Sequence, residues 1–312
     1  MTDVNEVDDP ADAGELADLL TESVDPRYAG LDTLSVPALA RLMNDADHTV
    51  PGAVRAALPQ IVPAIEAIAE RMAAGGRLLY VGAGTPGRLG VLDASECPPT
   101  FNTAPGQVSA IIAGGTDALL VAIEGVEDDA EAGAAAIDEA GIGPLDSVVG
   151  IAASGRTPYV IGAVARARER GALTVGLSCH SGARLSTAAE LPIEVIVGPE
   201  FISGSTRLKS GTAQKLVLNM ISTITMVRLG KTYGNLMIDV RATNHKLRER
   251  AQRIVAHITG ATREDVSAAL DAADDDIRVA ALMLARTESA EAASERLRRA
   301  GGNLRTALEG TS

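Results

Sequence analysis

From residue 77 onward, two apolar patterns alternate along the chain. Short, mostly apolar runs occupy 78–81, 108–113, 148–152, 173–177 and 193–197, each flanked by Gly, Pro or Ser on at least one side. Runs of that length and composition read as buried strands. Between them, apolar residues recur at helical spacing over 87–95, 117–140, 158–170 and a short stretch after Ser181. This alternation predicts an α/β fold: a doubly wound, mostly parallel sheet with helices on both faces. Ligands of such sheets bind beyond the carboxyl ends of the strands.

The flanks have a different pattern. Residues 1–25 are acidic and broken by proline, and read as an arm. Helical spacing follows over 39–44 and 54–74, with Pro51 and Pro59 as interruptions. After the sheet region come long helical periods over 211–229 and 237–258. The stretch 262–308 shows three helical periods, broken near Asp274–Asp276 and at Glu288-Ser289, and predicts a small helical domain. The expected plan is an arm and helix at 1–45, the sheet domain at 46–232, a connecting helix at 233–260 and the helical domain at 261–312.

Composition narrows the function. Lys and Arg number 28 against 41 Asp and Glu, a net charge of −13, which argues against nucleic acid or an anionic membrane as partner. With no Trp, 2 Phe and 4 Tyr, a base-stacking surface is not expected. No apolar run approaches the ~20 residues that span a bilayer. Cys97 and Cys179 form no disulfide or metal-binding pattern, and a reducing, cytoplasmic setting is expected. The histidines, His48, His180, His245 and His257, lack metal-ligand spacing.

The chemistry concentrates where strands should end. The run at 78–81 enters Gly82-Ala83-Gly84-Thr85-Pro86-Gly87, a turn that opens a helix and offers N–H groups to an anion. A dinucleotide site would also call for an acidic residue some 20 positions later. The segment 100–107 has none. The third strand ends in Ser154-Gly155-Arg156-Thr157-Pro158, again a Thr placed to cap a helix and a Pro for its first turn. A further polar loop, Ser203-Gly204-Ser205-Thr206-Arg207-Leu208-Lys209, precedes the long helix. Three such loops describe a phosphate site, and Lys209 or Lys215 is a candidate cation near it.

Two carboxylates stand out. Glu96 is expected to end its helix, just ahead of Pro98-Pro99. In the acidic segment 123–129, a buried stripe of Leu119, Ile123, Val126 and Ala130 would leave Glu127 at a half-buried edge, and Glu124 and Asp128 toward water. A carboxylate at such an edge suits proton transfer near neutral pH. Cys179, beside His180, shows no third partner that would make it a nucleophile.

These blocks resemble N-acetylmuramic acid 6-phosphate etherases: GAGTPGRLGVLDASECPPTF at 82–101, IAGG at 112–115, AIEGVEDD at 122–129, VVGIAASGRTPYV at 148–160, GSTRLKSGTAQKLVLNM at 204–220 and GNLMIDVRATNHKL at 234–247. The resemblance runs from about residue 47 to the C-terminus. It implies a sugar isomerase (SIS) domain, followed by a small helical domain similar to ubiquitin-associated folds. It further implies a cytoplasmic homodimer that acts on a sugar phosphate and needs no cofactor or metal. Enzymes of this family cleave the D-lactyl ether of N-acetylmuramic acid 6-phosphate to N-acetylglucosamine 6-phosphate and D-lactate, in cell-wall sugar recycling. The family's catalytic glutamates fall on Glu96 and Glu127. Substrate and phosphate binding is expected at Gly84, Thr85, Gly87, Ser154, Gly155, Arg156, Thr157, Ser205 and Thr206. One departure stands in the first loop: the family's Gly-Thr-Ser-Gly is Gly84-Thr85-Pro86-Gly87 here, so a hydroxyl and an N–H are lost. A sugar-phosphate isomerase and a non-catalytic sugar-phosphate sensor are the alternatives on the same domain.

Overall fold

The computed structural model describes residues 22–240 and 245–310. They divide into two compact units, one of residues 22–93 and 109–221, the other of residues 94–108, 222–240 and 245–310. Most of the predicted arm lies outside the described residues, as does the stretch 241–244 within the long helix expected at 237–258.

The first unit is built on a five-stranded sheet of order β2-β1-β3-β4-β5. Its strands are β1 (Leu78–Gly82), β2 (Val108–Ile112), β3 (Ser147–Ile151), β4 (Leu173–Ser178) and β5 (Leu191–Glu194). β1, β3, β4 and β5 are mutually parallel, with Tyr80 opposite Val149 and Val149 opposite Val175. β1, β3 and β4 are buried along their whole length, which is why they read as mostly apolar runs rather than as apolar and charged positions in alternation. The last strand starts two residues earlier than the run at 193–197 suggests and ends three earlier.

Helices α1 (Val36–Asp47), α2 (Val50–Ala56) and α3 (Leu58–Ala73) lead into the sheet. Pro51 and Pro59 stand in the first turns of α2 and α3, where no N–H is missed. Between strands come α4 (Gly84–Phe101), α5 (Ala130–Glu139), α6 (Pro158–Glu169) and α7 (Arg184–Ala188), and after β5 the long α8 (Lys209–Arg228). One face of the sheet packs Leu79, Val81 and Val148 against Ile137 of α5, against Val160, Ala163 and Val164 of α6, and against Leu185 of α7. On the other face Gly90 of α4 approaches Tyr80 and Ile151 so closely that a Cβ there would stand 3.0 Å from Tyr80 Cβ. Helices therefore cover both faces.

Two helices differ from expectation. α4 does not stop at Glu96; it continues through Pro98 and Pro99 and ends where Asn102 turns left-handed at φ 49°. The prolines sit in its last turns, and the stop is the Asn. The helix expected over 117–140 is broken: a 3-10 turn at Gly115–Leu119, then irregular chain, then α5. Gly125 at φ 78° cannot continue a helix, and Asp129 caps α5 by accepting from Ala132 N at 2.8 Å. The supposed apolar stripe is therefore not buried: Ile123 and Ala130 are exposed, and Leu119 and Val126 are half-buried.

Before α1, short turns at Pro26–Tyr28 and Leu31–Thr33 lie on the loop that follows β5. Tyr28 stacks on Phe201 with ring centroids 5.0 Å apart, and Ser203 Oγ donates to Glu22 O at 2.8 Å. Tyr28, Leu31, Leu39, Leu42 and Met43 form one apolar cluster with Phe201 and Leu208.

In the second unit the helix expected from 237 gives way to a hairpin, β6 (Thr232–Tyr233) with β7 (Leu236–Met237), closed by Gly234-Asn235. A two-residue Gly-Asn loop suits such a turn, with Gly234 at φ 57°. Then come α9 (His245–Thr259), α10 (Arg263–Ala272), α11 (Ile277–Arg286), α12 (Ala290–Arg299) and α13 (Leu304–Glu309). The breaks between the last helices fall where the acidic and Glu-Ser interruptions predict. Four helices, not three, fill 262–308, because Gly301 and Gly302, at φ 62° and 80°, cut off the last. Thr262, Asp276, Ser289 and Asn303 cap α10 to α13 with their own side chains. Buried Asp239 ties the unit together by accepting from Asn102 Nδ2, Lys231 Nζ and Arg278 Nη1.

Candidate active site

The strand order reverses direction between β1 and β3. In this topology the crevice outside the carboxyl ends of those two strands is the expected ligand site. The loops that leave β1 and β3 are the first two polar loops read in the sequence, and the third comes beside the first.

At β1 the chain turns into α4 with almost no space. A Cβ on Gly82 would stand 2.6 Å from Gly87 N, and one on Gly87 would stand 2.7 Å from Ile112 Cγ1. Gly84, at φ 54°, makes the turn, and Gly87 N donates to Ala83 O at 3.3 Å. With Pro86 lacking an N–H, the first turn of α4 offers the N–H groups of Gly84 and Thr85.

At β3, Gly155 at φ 68° lies against Ala183, and its carbonyl accepts from Leu185 N at 2.9 Å. Arg156 N donates to Ser154 Oγ at 3.3 Å. Thr157 holds the N-cap position of α6, with Pro158 next, but its hydroxyl makes no capping bond. The predicted Thr cap is present by position only, and its side chain stays half-buried at the loop.

The third loop closes on a buried carboxylate. Glu200, 1% exposed, accepts from Lys209 N and Ser210 N at 2.9 Å each, and so caps α8. Within the loop, Gly211 N donates to Thr206 O at 2.9 Å, and a Cβ on Gly211 would lie 3.6 Å from Thr85 Cγ2. Thr206 is thereby brought near Thr85, with Ser205 next to it in the chain. Lys209 is not the phosphate cation that the sequence suggests. Its side chain turns inward, 4% exposed, with Nζ donating to Val197 O at 2.7 Å. Burial pushes its ammonium down, and Glu200 offsets part of that. Lys215 is exposed on α8. No local signal marks Glu200, because the N–H groups it accepts from are 9 and 10 residues away.

Glu127 lies in the irregular chain before α5 and is exposed, not half-buried as the stripe implies. Its carbonyl accepts from Tyr159 N at 3.0 Å, so the segment is pinned to the first turn of α6, next to Thr157. The boundary between the two units falls within α4, and Glu96 belongs to the second, exposed on that helix. The first unit thus gathers Gly84, Thr85, Gly87, Ser154, Gly155, Arg156, Thr157, Ser205 and Thr206 around neighbouring loops, with Glu127 beside them. Cys179, directly after β4, is buried, and burial pushes its thiol up to about 12, which leaves no thiolate nucleophile near neutral pH. Among the described residues no group of three or more His, Cys, Asp or Glu is placed to hold a metal. No helix among them is long and apolar enough to cross a membrane.

A parallel sheet with polar loops at its switch point is the class of domain that takes small anionic ligands. Residues 60–168 match the family model described as "Glucokinase regulatory protein N-terminal SIS domain", and the sheet is SIS-like. The chain is 58% identical over 294 residues to a Streptomyces coelicolor protein named N-acetylmuramic acid 6-phosphate etherase, with 94% of each chain covered. A Rubrobacter xylanophilus protein of the same name is 57% identical over 293 residues, covering 94% of this chain and 97% of that one. A solved phosphoheptose isomerase from Francisella tularensis overlays 62% of this chain and 98% of its own, at TM-score 0.47 and 19% identity. The chain belongs to the N-acetylmuramic acid 6-phosphate etherase family.

Proposed function

We propose that this protein is a carbon–oxygen lyase that cleaves the D-lactyl ether of N-acetylmuramic acid 6-phosphate, releasing D-lactate and N-acetylglucosamine 6-phosphate in cell-wall sugar recycling. The observation that carries it is the gathering of three N–H- and hydroxyl-bearing loops at the β1/β3 switch point, with Glu127 held beside them, in a chain of this family.

Phosphate takes the N–H groups of Gly84 and Thr85 and the hydroxyls of Ser154 and Thr157, with Ser205 and Thr206 closing the far side. In the open-chain sugar the C1 aldehyde acidifies the C2 proton. Glu127 removes that proton as the C3–O bond breaks, and the electron pair becomes the C2=C3 double bond. Glu96, as the acid, protonates the departing lactate oxygen. Water then adds at C3, its proton passing to a carboxylate and C2 regaining one, so the two groups end as they began. Each proton transfer contributes roughly 10²–10⁴-fold.

The same reading carries the organisation expected from the sequence: arm and helix at 1–45, SIS domain at 46–232, connecting helix at 233–260, opened by the hairpin β6–β7, and a ubiquitin-associated-like helical domain at 261–312. It also carries a homodimer in the cytoplasm that works without a cofactor.

The test is to incubate the protein with N-acetylmuramic acid 6-phosphate and measure D-lactate. Release should fall by about 10²–10⁴-fold in Glu96→Gln and in Glu127→Gln. Undiminished release in both variants would refute the assignment of the two acids. Tight sugar-phosphate binding with no lactate from the wild type would replace the lyase with a sensor.

A further inference from the structure

The segment between Leu119 and α5 carries Glu127 yet has little to hold it in place. Leu120 is 92% exposed and Val121 64% exposed, so apolar burial does not order it there. Gly125 breaks any local helix. Chain of this kind loses substantial conformational entropy when it adopts one arrangement, and specific anchors must compensate.

The anchors can be named. Near its far end, Tyr159 N donates to Glu127 O at 3.0 Å. In the middle, Ile123 Cδ1 and Val126 Cγ2 fill the space where Gly114 has no Cβ, 3.2 and 3.4 Å from that position. At the near end Leu120 N and Val121 N both donate to Asp117 O at 3.1 Å, and the anchor from another element is Arg88. It stands in the second turn of α4, half-buried, just after the glycine turn. Its Nε donates to Leu119 O at 3.2 Å and its Nη2 to Val121 O at 3.4 Å. The planar guanidinium fixes the angle between its donors, so it grips two alternate carbonyls as a unit, which an ammonium cannot do.

We infer that Arg88 is a positioning residue for Glu127: it ties the helix that opens the phosphate loop to the segment that carries the base. This rests on the role proposed above for Glu127. Phosphate seated on the first turn of α4 and the carboxylate that must reach C2 are then linked through one rigid side chain. A group displaced by about 1 Å can lose on the order of 10²-fold in rate.

Two variants and two readouts test the inference. In Arg88→Met, amide hydrogen exchange over 119–127 should quicken about tenfold or more while β3 and β4 stay protected. Arg88→Lys, which keeps the charge but not the fork, should fall between it and wild type, and it carries the test if Arg88→Met does not fold. In D-lactate release, Arg88→Met should lower kcat by about 10²-fold with KM changed less than about twofold. In a Glu127→Gln background the same change should cost less than about twofold, because the group it positions is gone. Unchanged exchange over 119–127, or an equal loss in both backgrounds, would overturn the proposal. A wild type that releases no lactate would refute the lyase reading, and the exchange experiment would still decide whether Arg88 holds the segment.

Discussion

Pro86 stands in the first turn of α4, where its ring fits the helix and its missing N–H removes one donor from the turn that faces the switch point. A hydrogen bond to a charged group contributes about 1.5–3 kcal/mol. Pro86→Ser should therefore lower the KM for the sugar phosphate by roughly 10- to 100-fold; steady-state D-lactate release measures it, and an unchanged KM would show that the other loops already satisfy the phosphate. Asp146, just ahead of β3, has a purely structural role. Its carboxylate accepts from Arg77 N, Arg77 Nη2 and Gly143 N at 2.9, 2.7 and 3.0 Å. Burial pushes this carboxyl up, but the hydrogen bonds from the Arg77 side chain, Gly143 and the Arg77 backbone outweigh it and hold it below its ordinary value of 3.8. A depressed carboxylate stabilises the fold fully above the unfolded value, and that contribution disappears as pH falls through the folded one. Asp146→Asn should cost about 1–3 kcal/mol at pH 7. In denaturant titrations the gap from wild type should narrow below about pH 4.

α5 and α6 touch backbone to backbone. A Cβ on Gly133 would lie 2.0 Å from Tyr159 O, and one on Gly162 would lie 2.1 Å from Ala130 O. Helix propensity alone predicts that Gly133→Ala stabilises by about 1 kcal/mol. The contact predicts the opposite sign, a loss of about 1–3 kcal/mol from overpacking, seen as a lowered Tm in calorimetry. Elements at this scale were legible where one rule governed them. Strands β1, β3 and β4 are buried on both faces, and a run such as Leu78-Leu79-Tyr80-Val81 has no other stable reading. The glycine turns were legible for the same reason, since strand end and helix start leave no space for a side chain. The segment 117–129 was not. Leu119, Ile123 and Val126 keep helical spacing, yet Gly114, Gly115 and Gly125 adopt positive φ and the apolar positions remain partly in water. The spacing that singled out Glu127 was therefore not its physical basis; the position beside Thr157 comes from the Tyr159 N–H. Arg88, Glu200 and Gly133 act across distant stretches of chain, and no local pattern announces them.

At the scale of the molecule, a net charge of −13 opposes an anionic substrate at long range. At an ionic strength near 0.15 M that field is screened beyond about 8 Å, so capture falls to donors in direct contact. The gathered loops answer this with N–H and hydroxyl groups rather than a basic basin. Each unit has its own apolar core, one around the sheet and the other around Val255, Val266, Leu270 and Leu282.

The turns before α1 have a place in recognition. Tyr28 and Leu31 cover Phe201 and Leu208, the apolar ends of the loop that presents Ser205 and Thr206. That loop is thus roofed by the short turns at 26–33, a segment distant from it in the chain. Removing residues 1–34 should raise the KM for the sugar phosphate by about tenfold with a smaller change in kcat, and should open 202–207 to limited proteolysis. Retention of native KM and of protease resistance would show that the roof is dispensable. Anything that loosens the turns at 26–33 would act on ligand affinity as well.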